Sequence, residues 1–264
     1  MRERVLSQRY ELERMRKGRY VRRDAEERLK RGMKTELIKV ITGPRRAGKS
    51  FLAVRSIKGN FGYANFDDEV LAEISDFDKL LKILHEVYGD FNVVFLDEVQ
   101  NLPKWELVVS RLQRLGYNVV ITGSNSKLLS SELATHLTGR YFEVRVFPFS
   151  FREFLRARNF KGIPELPMEE GKLLSHLSEY LQIGGFPEVV VKGYDARDYG
   201  RMLFDSIVLR DIVRRKNVRY SSALYDLALY LTSNFGREFT YTRLKNLFDV
   251  GSVHTLRNYV DYLE

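Results

Sequence analysis

Gly43-Pro44-Arg45-Arg46-Ala47-Gly48-Lys49-Ser50 is the stretch that decides the fold. It fits G-x-x-x-x-G-K-[ST] in full, and its flanks match what the mechanism of that motif needs. Before it, Leu37-Ile38-Lys39-Val40-Ile41 is a short apolar run suited to a buried strand. After it, a helix is expected from about Ser50. Glycines in such a turn let backbone N–H groups converge on phosphates without a side-chain clash, and the helix adds its positive N-terminus. Lys49 is expected to reach the β- and γ-phosphates of ATP, and the Ser50 hydroxyl to bind Mg²⁺. The cofactor-binding segment therefore runs over Gly43, Pro44, Arg45, Arg46, Ala47, Gly48, Lys49, Ser50 and Phe51.

The second half of the site is Phe91-Asn92-Val93-Val94-Phe95-Leu96-Asp97-Glu98. Apolar strand residues deliver Asp97 to the C-terminal edge of a sheet, where a Mg²⁺ ligand is needed. Glu98 follows at once, placed to orient or deprotonate a water. A further predicted strand, Gly62–Phe66, lies between the two motifs in sequence. It fits the class in which another strand separates the two motif strands in the sheet and a hydrolytic glutamate is expected. Val119-Val120-Ile121-Thr122-Gly123-Ser124-Asn125 ends a fourth strand with short polar side chains. Asn125 or Ser124 could sense the γ-phosphate there, and either could equally cap the next helix. Tyr141–Phe147 reads as a fifth strand. Strands alternating with helices imply a parallel sheet covered on both faces.

Composition bounds the alternatives. The chain has 264 residues, 44% of them hydrophobic, enough for a buried core, and no stretch approaches the length of a transmembrane helix. The N-terminus lacks a secretory signal, and with no cysteine there is neither a disulfide nor a thiolate metal site. The expectation is a cytoplasmic protein without membrane partners. His85, His136, His176 and His254 show no metal-ligand spacing. The formal charge is +9, concentrated in two places. Residues 1–34 carry 13 Lys and Arg against 6 Asp and Glu, and Leu209–Arg219 carries Arg210, Arg214, Arg215, Lys216 and Arg219 against Asp211. Such clusters attract phosphate backbones or acidic protein surfaces, or are the solvated helix faces of a heat-adapted protein. Four segments follow: a basic helical N-terminus (1–34), a P-loop core (35–148), a helical lid (149–219) and a helix–turn–helix or winged-helix-like unit (220–264).

Taken together, Gly43–Ser50, Tyr63-Ala64-Asn65-Phe66-Asp67-Asp68, Phe95–Glu106, Ile121–Leu129, Leu137-Thr138-Gly139-Arg140 and Phe147–Phe154 resemble archaeal and bacterial AAA-family ATPases with a DUF4143-type C-terminal region, relatives of STAND-like and Orc/Cdc6-like ATPases. The resemblance runs from about Leu37 to the chain end. It implies an α/β P-loop NTPase of the additional-strand (AAA+/STAND-like) type with a helical lid. Arg140 matches the group's Gly-Arg, which implies a γ-phosphate contact or arginine finger, in cis or from a neighbouring copy in an oligomer. Gly184-Gly185-Phe186-Pro187 is similar to the lid motif whose proline packs on the nucleotide base, and Phe147-Pro148-Phe149 would mark the hinge. Members usually complete a winged helix and add a further domain, nuclease-like in some; the module here is expected to be truncated at Glu264.

Phe239–Phe248, a break at Asp249-Val250-Gly251, and Ser252–Leu263 fit helix–turn–helix spacing. The second helix would expose Ser252, His254, Thr255, Arg257 and Asn258. Arg214, Arg215, Lys216, His254 and Arg257 are the residues expected to touch double-stranded DNA. The reading is a Mg-ATP switch associated with DNA. The alternative is a STAND-like signalling ATPase acting on a protein partner without DNA. A small-molecule phosphotransferase is disfavoured, because no acceptor-pocket residues stand out and Glu98 suits water.

Overall fold

In a computed structural model of the protein, residues 1–123, 137, 139–161 and 167–263 are described. They form two compact units, Met1–Gly193 and Tyr194 to the C-terminus.

The first unit is built on five parallel strands: β1 (Ile38–Thr42), β2 (Phe61–Asn65), β3 (Val93–Asp97), β4 (Asn118–Gly123) and β5 (Tyr141–Arg145). Their order is β2-β3-β4-β1-β5. Val40 pairs with Ile121 and Phe95 with Val120, so β4 lies between the two motif strands. The separating strand is thus β4; the segment between the motifs in sequence, β2, is a sheet edge. All five residues of β1 are buried, as strands of a doubly covered sheet should be. Helix α3 (Lys49–Ser56) follows the phosphate loop, α4 (Glu69–Ala72) is a short turn after β2, and α5 (Phe77–Tyr88) and α6 (Trp105–Arg114) are crossovers. Helix α5 starts at an Asp76 cap and buries Leu80, Ile83, Leu84 and Val87, one stripe at helical spacing.

The basic N-terminus belongs to this unit. Helix α1 (Arg2–Lys17) packs on α3, α5 and β2. Gln8 exchanges two 2.9 Å hydrogen bonds with the backbone of Asn65, closing the edge of β2. Many of its cations already have partners: Arg19 and Arg28 donate to the carbonyls of Ala157 and Glu143, and Arg2, Arg4 and Lys30 pair with Glu86, Asp68 and Glu26. Helix α2 (Glu26–Gly32) completes the segment before β1.

After β5 the unit continues as three helices: α7 (Phe151–Ala157), α8 (Pro167–Ile183) and α9 (Pro187–Lys192). Ser150 and Glu153 form a capping box at α7. The turn before α9 lies against Phe149, whose N–H donates to the Gly185 carbonyl at 2.6 Å. A Cβ on Gly185 would lie 2.2 Å from the Phe149 oxygen, so only glycine fits. Val21, Phe149, Phe154, Ala157 and Val190 form a small core here.

The second unit is helical: Ala196–Asp205, a π-helical run over Ser206–Val213, Arg214–Lys216, Ser221–Ser233, Tyr241–Leu247 and Val253–Leu263. Ile212 packs with Leu224, Leu227, Leu244, Leu256 and Val260. That shared core explains why the division falls at Gly193, inside the stretch 149–219 expected as one lid. On Val253–Leu263, Leu256, Tyr259 and Val260 are buried and His254 and Arg257 exposed. Among the described residues of this unit there is no strand of the kind a wing would use.

Candidate nucleotide and magnesium site

The C-terminal ends of β1 and β3 bring the two motifs together. Leaving β1, Gly43 adopts φ 146°, and a Cβ there would lie 1.9 Å from the carbonyl oxygen of Val146. The chain then turns through Arg46 (φ 65°) and Gly48 (φ 91°) into α3. Lys49, 5% exposed, folds back so that Nζ donates to the carbonyls of Gly43 and Pro44, each at 3.1 Å. The cation thus sits inside the loop that would receive phosphates.

Asp97 is 2% exposed at the end of β3. Its Oδ1 accepts from Ser50 Oγ at 2.9 Å and from the Thr122 hydroxyl of β4; its Oδ2 accepts from Tyr63 of β2 at 3.1 Å. Glu98 follows in the left-handed region (φ 50°), a backbone cost that recurs where a side chain must be aimed. Its N–H donates to Thr122 Oγ1 at 3.0 Å, its Oε2 accepts from Gln100 at 2.6 Å, and its Oε1 lies 4.0 Å from Lys49 Nζ. Burial pushes the Asp97 carboxyl up to about 6, reinforced by Glu98 and opposed by the hydroxyls of Thr122, Ser50 and Tyr63. Burial lowers the Lys49 ammonium, while the charges of Glu98 and Asp97 oppose that shift.

Beside these groups opens a cavity of about 380 Å³, lined on the polar side by Arg45, Arg46, Lys49, Ser50 and Glu98. Its apolar wall is Met15, Tyr20, Val21, Phe51, Phe149 and Pro187. Pro187 starts α9, and its Cγ is 3.7 Å from where a Gly48 Cβ would stand. Arg46 reaches across to Glu188 of α9 at 2.9 Å.

The fold therefore gathers Lys49, Ser50, Asp97, Glu98, Arg45, Arg46, Phe51 and Pro187, with Gly43, Pro44, Ala47 and Gly48 as the supporting backbone. Arg140 is not among them. Its carbonyl accepts from the N–H of Ile38, at the start of β1. Because β5 runs parallel to β1, Arg140 stands at the end of the sheet opposite the phosphate loop. A contact to the γ-phosphate of the same chain is thereby corrected: strand direction forbids it. Ser124 and Asn125 lie outside the described residues. Sequence reading missed Tyr63, Thr122, Gln100, Met15, Tyr20 and Val21. Thr122 could have been found, since it ends the strand that separates the motif strands; Tyr63 and Tyr20 give no local signal.

The sheet order and the loop are those of a P-loop NTPase fold. Residues 35–155 match the family model of an AAA domain, and the chain carries an AAA-family P-loop ATPase domain. Residues 174–264 match a domain of unknown function, DUF8612, and the DUF4143-type region expected is not shown by these matches. The chain is 35% identical over 238 residues to an uncharacterized protein of Methanocaldococcus jannaschii, covering 85% of this chain and 54% of that protein. It is also 35% identical over 250 residues to an uncharacterized protein of Haemophilus influenzae, covering 87% and 60%. The chain thus spans little more than half the length of these relatives. Among solved structures it is similar to the Walker-type ATPase PABY2304 of Pyrococcus abyssi, with TM-score 0.56 and 17% identity over 92% of this chain and 89% of that one. Among the described residues no helix is long and apolar enough to cross a membrane.

Proposed function

We propose that the first unit binds Mg-ATP and hydrolyses it as a conformational switch. The observation that supports this most is the convergence of Lys49, Ser50, Asp97 and Glu98 beside one cavity. The donor set suits Mg²⁺. Ser50 and Asp97 are hard oxygen ligands, already 2.9 Å apart, and among the described residues no cluster of three acidic or histidine side chains could hold a metal alone. Magnesium characteristically takes one or two protein oxygens and completes its shell with phosphate and water.

When bound, Mg²⁺ would neutralise phosphate charge. The chain's own residues do the rest. Backbone N–H groups of residues 45–50 and the Lys49 ammonium bind phosphates, Lys49 exchanging the Gly43 and Pro44 carbonyls for phosphate oxygens. Glu98 orients a water and takes its proton at the carboxylate, which Gln100 steadies. Pro187, Phe149 and Val21 cover the base, and Arg46–Glu188 ties the loop to α9. Nucleotide would thus set the position of the segment after β5.

The site has a definite pH dependence. Asp97 must be ionised to hold Mg²⁺, and without metal it ionises at about 6. Mg-dependent ATP binding should therefore strengthen as pH rises through about 6 and level off above it, since proton and metal compete for the same oxygen. The stability sign is opposite. A buried carboxyl raised above its ordinary value of 3.8 binds more protons folded than unfolded. Its favourable contribution is complete below about 4 and is lost as pH rises to about 6. In metal-free protein, melting curves of the parent and of Asp97→Asn should diverge across that window. Parallel curves would show that Asp97 is not buried as described.

For the second unit we propose association with duplex DNA through the exposed His254 and Arg257 face, together with Arg214, Arg215 and Lys216. Arg257 lies over the Tyr241 ring at 5.2 Å and Lys216 over Tyr262 at 5.1 Å, so both cations lean on aromatic rings. The engaged arginines of residues 2–28 leave the N-terminus a smaller share of the charge than its composition suggests, which favours the alternative of a protein partner. The ATPase rate with and without duplex DNA, at 50 and 200 mM salt, separates the two. Stimulation that fades with salt fits phosphate contacts. A rate indifferent to DNA at 50 mM removes the DNA reading and leaves the ATPase untouched.

A further inference from the structure

Arg23 is among the most deeply buried cations of the described chain, 5% exposed, and no step above uses it. Its guanidinium spends its donors on three distant segments. Nη1 donates to the carbonyl of Ala47, inside the phosphate loop, at 2.8 Å. Nη2 donates to the carbonyl of Phe147, after β5, at 2.6 Å. Nε donates to Glu153 Oε1 of α7 at 3.0 Å, in an ion pair whose two side chains are each 5% exposed. The guanidinium carbon lies 4.8 Å from the centre of the Phe149 ring. Glu153 is held in turn by the N–H groups of Asp24 and Ser150.

The Ala47 contact is the informative one. A peptide unit is planar and trans, so its C=O and the following N–H point in opposite directions. Turning the Ala47 carbonyl onto Arg23 therefore fixes the direction of the Gly48 N–H, on the other side of the same plane. Gly48 is at φ 91°, a region glycine enters and leaves at little cost, so this peptide would otherwise flip easily. With the carbonyl reversed, a lone pair would face the phosphate position in place of a donor. The planar fork of arginine, with five donors, can hold that carbonyl while bonding Phe147 and Glu153; lysine cannot.

We propose that Arg23 is a positioning residue of the phosphate loop: it locks the Ala47–Gly48 peptide with its N–H toward the nucleotide, and through Phe147 and Glu153 joins the loop to the segment that covers the base. The proposal rests on the reading of this cavity as an ATP site. It assigns the basic N-terminus a part in nucleotide binding.

The test measures Mg-ATP affinity by calorimetry, and melting temperature without nucleotide, for the full chain and for Arg23→Met, Arg23→Lys, Glu153→Gln and Lys49→Ala. Arg23→Met keeps the aliphatic bulk and removes all three donations. It should weaken ATP about 10- to 100-fold, the range for losing one hydrogen bond to a charged group. Arg23→Lys, with a single donor group, should fall between it and the parent. Glu153→Gln leaves Arg23 its two carbonyls and places an amide donor where Ser150 also donates. It should lower the melting temperature while leaving ATP affinity within about twofold, since the peptide lock is intact. Parental affinity in Arg23→Met overturns the proposal. So does a loss in Glu153→Gln equal to that in Arg23→Met, because affinity would then merely follow fold stability. Should Arg23→Met not fold, Arg23→Lys decides: parental affinity overturns the proposal and a loss without a matching loss in Glu153→Gln upholds it. Failure of the parent to bind ATP, with Lys49→Ala indistinguishable from it, overturns the site reading and this one together.

Discussion

Glu98→Gln is expected to bind Mg-ATP like the parent and to turn it over about 10²- to 10⁴-fold more slowly, the range for general-base assistance. The amide keeps the size and polarity of the side chain and loses only the capacity to take a proton. Three features make the geometry specific. Glu98 is held by its own N–H on Thr122, so the left-handed backbone is fixed. Its Oε2 accepts from Gln100, which leaves Oε1 toward Lys49 and the cavity. Its neighbour Asp97 is turned the other way, into Ser50, Thr122 and Tyr63, and is the carboxylate proposed to hold the metal. Asp97→Asn should therefore behave differently, weakening Mg²⁺ dependence and binding together. Single-turnover hydrolysis beside equilibrium ATP binding distinguishes the two. A Glu98→Gln protein that hydrolyses at the parental rate would place the base on another residue.

How much of this was legible in the sequence follows from how local each feature is. The phosphate loop and the strand ending in Asp97-Glu98 are contiguous in sequence, and their chemistry depends on spacing within a few residues, so both could be read directly. Strands β3 and β4 were readable because both faces of the sheet are covered there and each is a nearly unbroken apolar run. Strand order was partly hidden: the strand between the motifs in sequence, β2, lies at the edge, because neighbours in a parallel sheet are set by crossovers. Arg140 matched a family pattern, yet strand direction, which no local pattern carries, puts it at the end of the sheet away from the phosphate loop of its own chain. The N-terminus was the largest surprise. Thirteen cations in 34 residues read as a free basic surface, whereas Arg19, Arg23 and Arg28 are bonded to backbone 138, 124 and 115 residues away. Composition reports charge and cannot report which carbonyls will face it.

Lys49→Ala should abolish measurable ATP affinity. The loop holds the ammonium with two of its own carbonyls, at 3.1 Å from Gly43 and Pro44, and it lies 4.0 Å from Glu98. Burial lowers its proton affinity, a cost that phosphate oxygens beside it would relieve. Alanine removes the charge and leaves the backbone donors to face a triphosphate alone. Arginine would not rescue it, since a planar fork cannot occupy the place of a compact ammonium enclosed by the loop. Binding can be read without relying on hydrolysis. A ligand that binds only the folded state stabilises it by RT ln(1 + [L]/Kd), about 2.7 kcal/mol at one hundred times Kd. Mg-ATP should therefore raise the melting temperature of the parent and of Glu98→Gln alike, and leave Lys49→Ala unmoved. Magnesium without nucleotide should shift none of the three by a comparable amount, because Ser50 and Asp97 supply only two ligands. A Lys49→Ala protein stabilised by Mg-ATP as strongly as the parent would mean that the nucleotide sits somewhere other than the loop between β1 and α3.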